Sequence, residues 1–479
     1  MISRKKLFAL LPLSIVLITM LLFVCSCSEK AVQEPAIKKE NMDLTVNPGD
    51  DFFRYANGNW IKNNEIPEDR SRYGSFDIVR KKRDADVRAL LDEVTKEVNA
   101  EKGSISQKIR DFYASGMDSA KIEEAGISSL QKELDLIAAI PSTEDFQDVV
   151  AKFHTYGLYP LFGGGLEQDL MDSKIYKFYL MQAGIGLPDR DYYTTEDERS
   201  EEIRTEYVKH VAKMFEIKGD DAETAKTNAE TVMAIETRLA ENSKTNTEMR
   251  DIPGWYNKMS LSKLQEHADG FDWSRYFNNI SDIDFGDVIV AMPKFFKEVG
   301  VMVKEIPVDD WKVYLTWNSV NRSAEYLSSD FVNQDFSFYS EFLSGSKEIK
   351  PRWERVVGVT NNAMGEPLGQ LYVEKHFPPA LKKKMVELVG YLKKALKIRL
   401  ENLEWMSDST KQAAFAKLEL MGVKIGYPDK WEDFSKLEIE ADSYVQNVMR
   451  ANQFAHYKDL DRFGKPVDQG KMGNGSSNC

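Results

Sequence analysis

Apolar residues recur at helical spacing along most of the chain. In residues 81–98 the apolar positions fall on one face of a helix. A later segment repeats this spacing at Met385, Leu388, Val389, Leu392 and Leu396. We interpret both stripes as faces of the hydrophobic core. Similar patterns, with capping and stop residues, predict helices over residues 104–115, 143–156, 198–217, 221–243 and 408–420.

Strand signals are few and short. Residues 174–182 alternate weakly between apolar and polar positions and are rich in aromatic residues. Residues 423–428 alternate before Pro428 ends the pattern. The sequence shows no internal repeat and no long low-complexity linker. It therefore predicts a mainly α fold, a large multi-helix domain with minor β-strands.

The N-terminus has the pattern of a secretory signal. Basic residues at positions 4–6 precede an apolar run over residues 7–24. The small residue Ser26, directly before Cys27, resembles the bacterial lipobox. This predicts a lipoprotein signal peptide over residues 1–26 and a lipid anchor on Cys27. The alternative is a single membrane-spanning anchor, because this run of eighteen mainly apolar residues can just span a bilayer.

Both interpretations place the body of the protein outside the cytoplasm. The lipobox predicts a protein of the cell envelope that is held on the membrane by its N-terminal lipid and exposed to the periplasm or the cell exterior. Residues 27–46 are polar and predict a flexible tether. A helical domain is predicted over residues 47–468 and a short tail over residues 469–479. After acylation of Cys27 only Cys479 remains, so neither a disulfide nor a cysteine metal site is expected.

Charge and motifs exclude several functions. The net charge of -13 comes from both signs spread along the chain, which argues against nucleic acid as a partner. No GxSxG elbow and no phosphate-binding loop is present. The sequence also contains no HExxH zinc motif, because its histidines lie too far apart, at His154, His210, His267, His376 and His456. The residues alone therefore indicate no catalytic residue and no metal ligand.

Four blocks of sequence, in order, resemble one family. They are "DDFFRYANGNWIKNNEIPEDRSRYGSFDIVR", "GLPDRDYY", "PLGQLYVEKHF" and "RLENLEWMSDSTKQAAFAKLELMGVKIGYPDKW". They are similar to the neprilysin and endothelin-converting enzyme family of zinc metallopeptidases. The resemblance implies a two-lobed, largely helical ectoenzyme that encloses a cavity, uses zinc as cofactor and cleaves peptides. The helical blocks correspond to the N-terminal lobe of such an enzyme.

The first block implies a substrate-binding role for Arg72 and Arg80. In the family, the arginine of the "SRYG" motif and the arginine eight residues later reach toward the carboxyl end of a bound peptide. A guanidinium holds a carboxylate by two parallel hydrogen bonds, which suits this role. The alternative is that both are solvated arginines near a helix start. Aromatic residues of the later blocks are interpreted as packing residues, namely Tyr192, Tyr193, Trp405, Tyr427 and Trp431.

In family order, the zinc motif follows a "GKPVD" stretch. Here "GKPVD", residues 464–468, is followed by eleven residues. We therefore expect this chain to be the helical lobe of a neprilysin-like zinc metalloendopeptidase, truncated before the catalytic lobe, without zinc and inactive alone. The alternatives are a lipoprotein that binds peptides or a partner, and one half of a split enzyme whose catalytic lobe is a separate chain. We also expect apolar surface to be exposed where the absent lobe would cover it.

Overall fold

The computed structural model describes residues 37–97, 99–468 and 470. The predicted signal peptide, Cys27 and most of the predicted tail lie outside these residues. The chain divides into two compact units, which meet in sequence between Pro67 and Glu68. Within the described ranges, no helix combines the length and the apolar character that crossing a membrane requires.

The first unit is built around helix α1, Phe52–Asn63. The side chain of Asp51 caps its N-terminus by accepting a hydrogen bond from the backbone amide of Arg54. Asp43 lies against the helix and accepts a 2.6 Å hydrogen bond from Lys62, which lowers the pKa of Asp43 to about 2. A side chain at position 58 would lie 2.6 Å from the Cβ of Asp43, so only Gly58 permits this approach.

The second unit is mainly helical. Its first helices are α2 Ser75–Val94, α3 Ile105–Met117, α4 Ser119–Ala125, α5 Gln131–Ala138, α6 Thr143–Thr155, α7 Asp191–Thr194, α8 Glu198–Lys218 and α9 Ala222–Asn242. The next are α10 Leu261–His267, α11 Trp273–Ile280, α12 Pro293–Glu305, α13 Val308–Ser323 and α14 Ser329–Asp335, which a π-helical segment, Phe336–Phe342, continues. The last are α15 Arg352–His376, α16 Pro379–Glu401, α17 Asp408–Glu419 and α18 Tyr444–Leu460.

Side-chain caps explain where several helices begin. Ser104, Ser142, Asp197 and Asp221 each accept a hydrogen bond from the backbone amide three residues later. The five helices predicted from residue 104 onward by capping and stop signals agree with the structure to within two residues at each end. Helices hold 63% of the residues and strands 5%, so the predicted mainly α fold is confirmed.

One small sheet has the strand order β1-β2-β4-β3. Its strands are β1 Phe162–Gln168, β2 Tyr176–Gln182, β3 Lys258–Ser260 and β4 Asp287–Val290. β1 pairs antiparallel with β2, β2 pairs parallel with β4, and β3 pairs antiparallel with β4. Strand β2 confirms the alternation seen in residues 174–182.

The strand predicted over residues 423–428 was wrong. The structure shows an irregular segment there. Two lysines of α16 donate hydrogen bonds to backbone carbonyls in and beside this segment. Lys382 donates to the carbonyl of Tyr427 at 2.7 Å, and Lys393 to that of Met421 at 2.9 Å. A weak alternation does not form a strand without a neighbouring strand to pair with.

Two hydrophobic clusters form the core of the second unit. The larger gathers buried side chains from α5 to the π-helical segment, including Trp273, Trp311 and Trp317. The smaller packs α2 and α3 against α15, with Leu91 and Phe112 fully buried. Helix α18 contributes to both clusters, so it joins the two parts of the unit.

The interpretation of the second apolar stripe as core was wrong. Helix α16 has no buried residue, and Met385, Leu388, Leu392 and Leu396 are between 41% and 60% exposed. The helix packs on α17, and within the described residues nothing covers its opposite face. Trp405, after α16, is 78% exposed and does not pack as predicted. Apolar spacing identifies an amphipathic helix, but only packing decides whether its apolar face is covered.

Candidate functional site: a cavity lined by arginines

The segment before α2 and the start of that helix place three arginines at one cavity of about 410 Å³. Arg72 lies three residues before the first residue of α2, and Arg80 lies on its second turn. Arg70 precedes both. Arg355 from α15 and Lys350 from the preceding loop line the same cavity. The structure therefore brings the two arginines predicted from the sequence together in one concave site.

Arg70 holds this segment in place. Its side chain is only 7% exposed, and its Nη2 lies 2.7 Å from Oε1 of Glu354 on α15. Its Nη1 lies 3.9 Å from Oδ1 of Asp77, and Nη1 of Arg80 lies 3.8 Å from the same oxygen. Asp69 also lies 3.7 Å from its Nε. A buried guanidinium that is paired with three carboxylates fixes its neighbours more firmly than an exposed one. Sequence reasoning missed Arg70, because "DRSRYG" does not show which of its arginines is buried.

Arg72 and Arg80 remain accessible. The side chain of Arg80 is 51% exposed, and the one carboxylate that it contacts among the described residues, Asp77, lies at a long distance of 3.8 Å. Arg72 is also exposed, and within the described residues it makes neither a hydrogen bond nor an ion pair. A guanidinium without a carboxylate partner can bind an anionic ligand without first breaking an ion pair.

Two ionisable side chains that line the cavity, Asp335 and Arg355, have no partner of opposite charge within the described residues. Asp335, the last residue of α14, is largely buried, and this burial, with the nearby Glu325, raises its pKa to about 7. Arg355 is half-buried and donates from Nε to the carbonyl of Lys350 at 3.3 Å, and burial lowers the pKa of Arg355. No carboxylate of the described residues lies within ion-pair distance of it. The cavity thus offers both charge signs to a ligand.

A second cavity of about 700 Å³ shares Glu325 and Asp335 with the first. Its wall is the loop that follows β2 and contains the "GLPDRDYY" block. Glu236 on α9 holds this loop, since its carboxylate accepts hydrogen bonds from Tyr193 at 2.6 Å and Tyr207 at 2.7 Å. Trp317 adds a third at 3.0 Å. The block is therefore a structural junction, anchored by the buried side chains of Leu187 and Tyr193, that shapes the cavity.

The described histidines do not converge on one point. His154 is buried, with Nδ1 2.7 Å from the hydroxyl of Tyr276 and Nε2 2.9 Å from the carbonyl oxygen of Pro160, and burial lowers its pKa to about 4. His210 is also buried, with a pKa of about 3. Within the ranges that the structure covers, no three His, Cys, Asp or Glu side chains are placed to hold a metal ion. These residues do not fit a zinc ion.

A large helical unit with an arginine-lined cavity and this order of sequence blocks defines the helical lobe of a neprilysin-like zinc metallopeptidase. Residues 48–428 match Peptidase family M13, and the chain belongs to this family. The resemblance to neprilysin and endothelin-converting enzyme is thereby confirmed, since members of that family are zinc metallopeptidases.

Relatives support this assignment over nearly the whole chain. Bovine endothelin-converting enzyme 1 (Bos taurus) is 28% identical over 459 residues, 91% of this chain and 60% of the relative. The crystal structure of the Mycobacterium tuberculosis zinc metalloprotease Zmp1 with an inhibitor superposes with a TM-score of 0.85 at 31% identity, over 91% of this chain and 66% of that one. PepO from Lactobacillus rhamnosis, with a TM-score of 0.80 at 20% identity over 89% and 68%, shares the fold. The chain spans about 60% of the length of its curated relatives.

Proposed function

We propose that this chain is the peptide-binding helical lobe of an M13 zinc metalloendopeptidase that acts in proteolysis outside the cytoplasm. The observation that carries the proposal is the cavity shared by Arg72 and Arg80. Among the residues that the structure describes, Arg72 has no partner and Arg80 has only a long contact, so both can bind the terminal carboxylate of a peptide by charge-assisted hydrogen bonds. The relatives named as zinc metalloprotease and endothelin-converting enzyme support the reaction class.

Peptide binding tests this proposal directly. A labelled peptide with a free C-terminal carboxylate is titrated into the purified chain beside the same peptide ending in an amide. Arg72→Ala and Arg80→Ala are each expected to weaken binding of the acid about 10-fold to 100-fold, as the loss of a hydrogen bond between charged groups implies, and to leave the amide unchanged. Arg83→Ala is the matched control, because Arg83 lies on the same helix and is also 51% exposed. Equal binding of acid and amide would contradict the proposal.

The chain alone is proposed not to cleave peptides. Its sequence contains no HExxH motif, and its described residues do not fit zinc. The purified chain, supplied with zinc and a quenched fluorescent peptide, is therefore expected to show no cleavage that a chelator removes. Zinc-dependent cleavage in this assay would show that the chain carries catalytic machinery of its own.

A second candidate function is one half of a split enzyme. The exposed stripe of α16 favours it, because monomeric proteins rarely leave such an apolar face uncovered. The proposed occupant is a catalytic lobe that carries the zinc motif, supplied as a separate chain. A downstream reading frame with HExxH, co-expressed with this chain, should elute with it as a one-to-one complex and cleave peptides. Independent elution of the two chains would rule this candidate out.

A further inference from the structure

The charges of the arginine-lined cavity are balanced. Five basic side chains line it, and so do five acidic ones: Asp69, Asp77, Glu325, Asp335 and Glu348. A cavity built for a polyanion would carry a clear excess of cations. Equal numbers of both signs suit a ligand that brings a negative and a positive group together.

Most of these acids already have a partner or are solvated. Asp69 and Asp77 both lie within 4.0 Å of Arg70. Glu348 is exposed to solvent, and Glu325 is exposed and hydrogen-bonded to Tyr326. Asp335 is the exception, because it is largely buried and its carboxyl has neither a hydrogen bond nor a cation beside it within the described residues. An isolated buried carboxylate is costly, so a ligand cation would be stabilised here.

The backbone holds Asp335 toward the cavity. It ends α14 at the point where the helix widens into the π-helical segment, and π-helical turns occur frequently at functional sites. Val332 and Phe336 line the same cavity and provide an apolar wall. The ionisable groups around Asp335 are Glu325, Tyr326 and Tyr339, while Arg322 and Arg355 line the two adjoining cavities. Within the described part of the chain, neither arginine forms an ion pair with Asp335.

We propose that Asp335 is a specificity-determining residue that selects peptides with a basic side chain at or next to the C-terminal residue. The inference rests on the proposed function, in which Arg72 and Arg80 take the terminal carboxylate. The cavity volume of about 410 Å³ holds only a short C-terminal segment, so a basic side chain of that segment enters the same space. Lysine or arginine then supplies the cation that Asp335 lacks.

The test compares three forms of one labelled peptide with the purified chain at about pH 7: C-terminal lysine, C-terminal norleucine, and lysine amide. Wild type is expected to bind the lysine acid about tenfold more tightly than the norleucine acid. Asp335→Asn should remove this preference and keep the norleucine affinity. Asp330→Asn, an exposed aspartate on the same helix, is the control and should behave as wild type.

Proton release provides a second measurement that needs no variant. Because the pKa of Asp335 is about 7, a bound cation would drive the carboxyl to ionise. Calorimetry in two buffers of different ionisation enthalpy should therefore show protons released by the lysine peptide and none by the norleucine peptide.

The outcomes separate this inference from the proposed function. If both acids bind equally, the amide binds weakly and no protons are released, the role of Asp335 is overturned while the roles of Arg72 and Arg80 stand. If the amide binds as tightly as the acid, or no peptide binds, the proposed function fails and the inference fails with it.

Discussion

At the scale of single residues, Glu236 shows how one buried group can organise distant segments. Its carboxylate joins α9 to Tyr193 and Tyr207, and the indole of Trp317 on α13 donates to it as well. Burial raises the pKa of Glu236 to about 7, although every hydrogen bond to its carboxylate acts in the opposite direction. The residue therefore titrates near neutral pH in the folded protein and near its ordinary value of 4.5 in the unfolded chain.

This shift predicts how stability depends on pH. A raised pKa in the folded state adds stability that is fully present below about pH 4.5 and is lost as the pH rises through about 7. Between these values the contribution is about 3 kcal/mol, at 1.36 kcal/mol for each pH unit. Glu236→Gln is expected to remove this part of the pH dependence. Urea unfolding of wild type and variant at several pH values from about 4.5 to about 8 measures the difference.

The comparison between wild type and variant cancels what the other titrating groups contribute to the pH dependence of stability. Asp335 lowers stability as pH rises in the same way, whereas His154, His210 and His456, whose pKa values burial lowers, act in the opposite direction. Glu241→Gln, an exposed change on the same helix, should leave the profile unaltered. Parallel profiles for wild type and Glu236→Gln would show that the carboxyl titrates normally.

At the scale of elements, α2 and α16 carry similar apolar stripes, but the stripe of α2 is buried and that of α16 is exposed. On α2 the stripe is buried against α3 and α15, with Leu91 fully covered. On α16 the stripe lies open, with Leu392 60% exposed. Burial, rather than spacing, decides how much such a residue stabilises the fold, because the stabilisation is proportional to the apolar area removed from water.

The two helices therefore respond differently to the same substitution. Leu91→Ala should destabilise the protein by about 2–5 kcal/mol through lost contacts and a cavity. Leu392→Ala should change stability by no more than about 0.5 kcal/mol, because it removes an exposed side chain. Chemical denaturation of both variants tests the pair, and equal losses would show that α16 is covered in solution.

The open stripe also predicts association. Replacing Leu388, Leu392 and Leu396 together by glutamine should leave the unfolding free energy nearly unchanged and reduce self-association measured by light scattering. Self-association that persists at the same protein concentration would mean that another surface causes it.

At the scale of the whole molecule, the chain is a family M13 helical lobe that covers about 60% of the length of its curated relatives. We propose that a lipid on Cys27 attaches it to the cell envelope. In a bacterial host fed a labelled fatty acid, wild type is expected to incorporate label and Cys27→Ala to lose it. Cys25→Ala is the control and should retain the label. Unlabelled wild type would favour the membrane-spanning alternative over the lipid anchor.

The sequence predicted a large part of the fold because helices are encoded locally. Caps such as Ser104 and Asp221 and the apolar spacing around them depend on neighbours within a few residues. The motif blocks identified the family and named Arg72 and Arg80. The strand over residues 423–428 and the burial of α16 were predicted wrongly, because both depend on whether another element lies alongside.

The sequence by itself determined the helical class, the family and the pair of arginines to examine. Only the tertiary structure decided which groups face them. Arg70 contacts Glu354, which lies 284 positions later in the sequence, and Asp335 on α14 lines the same cavity as Arg72. Local periodicity cannot predict contacts between residues so far apart in sequence, because contacts, burial and pKa values depend on how the elements pack together.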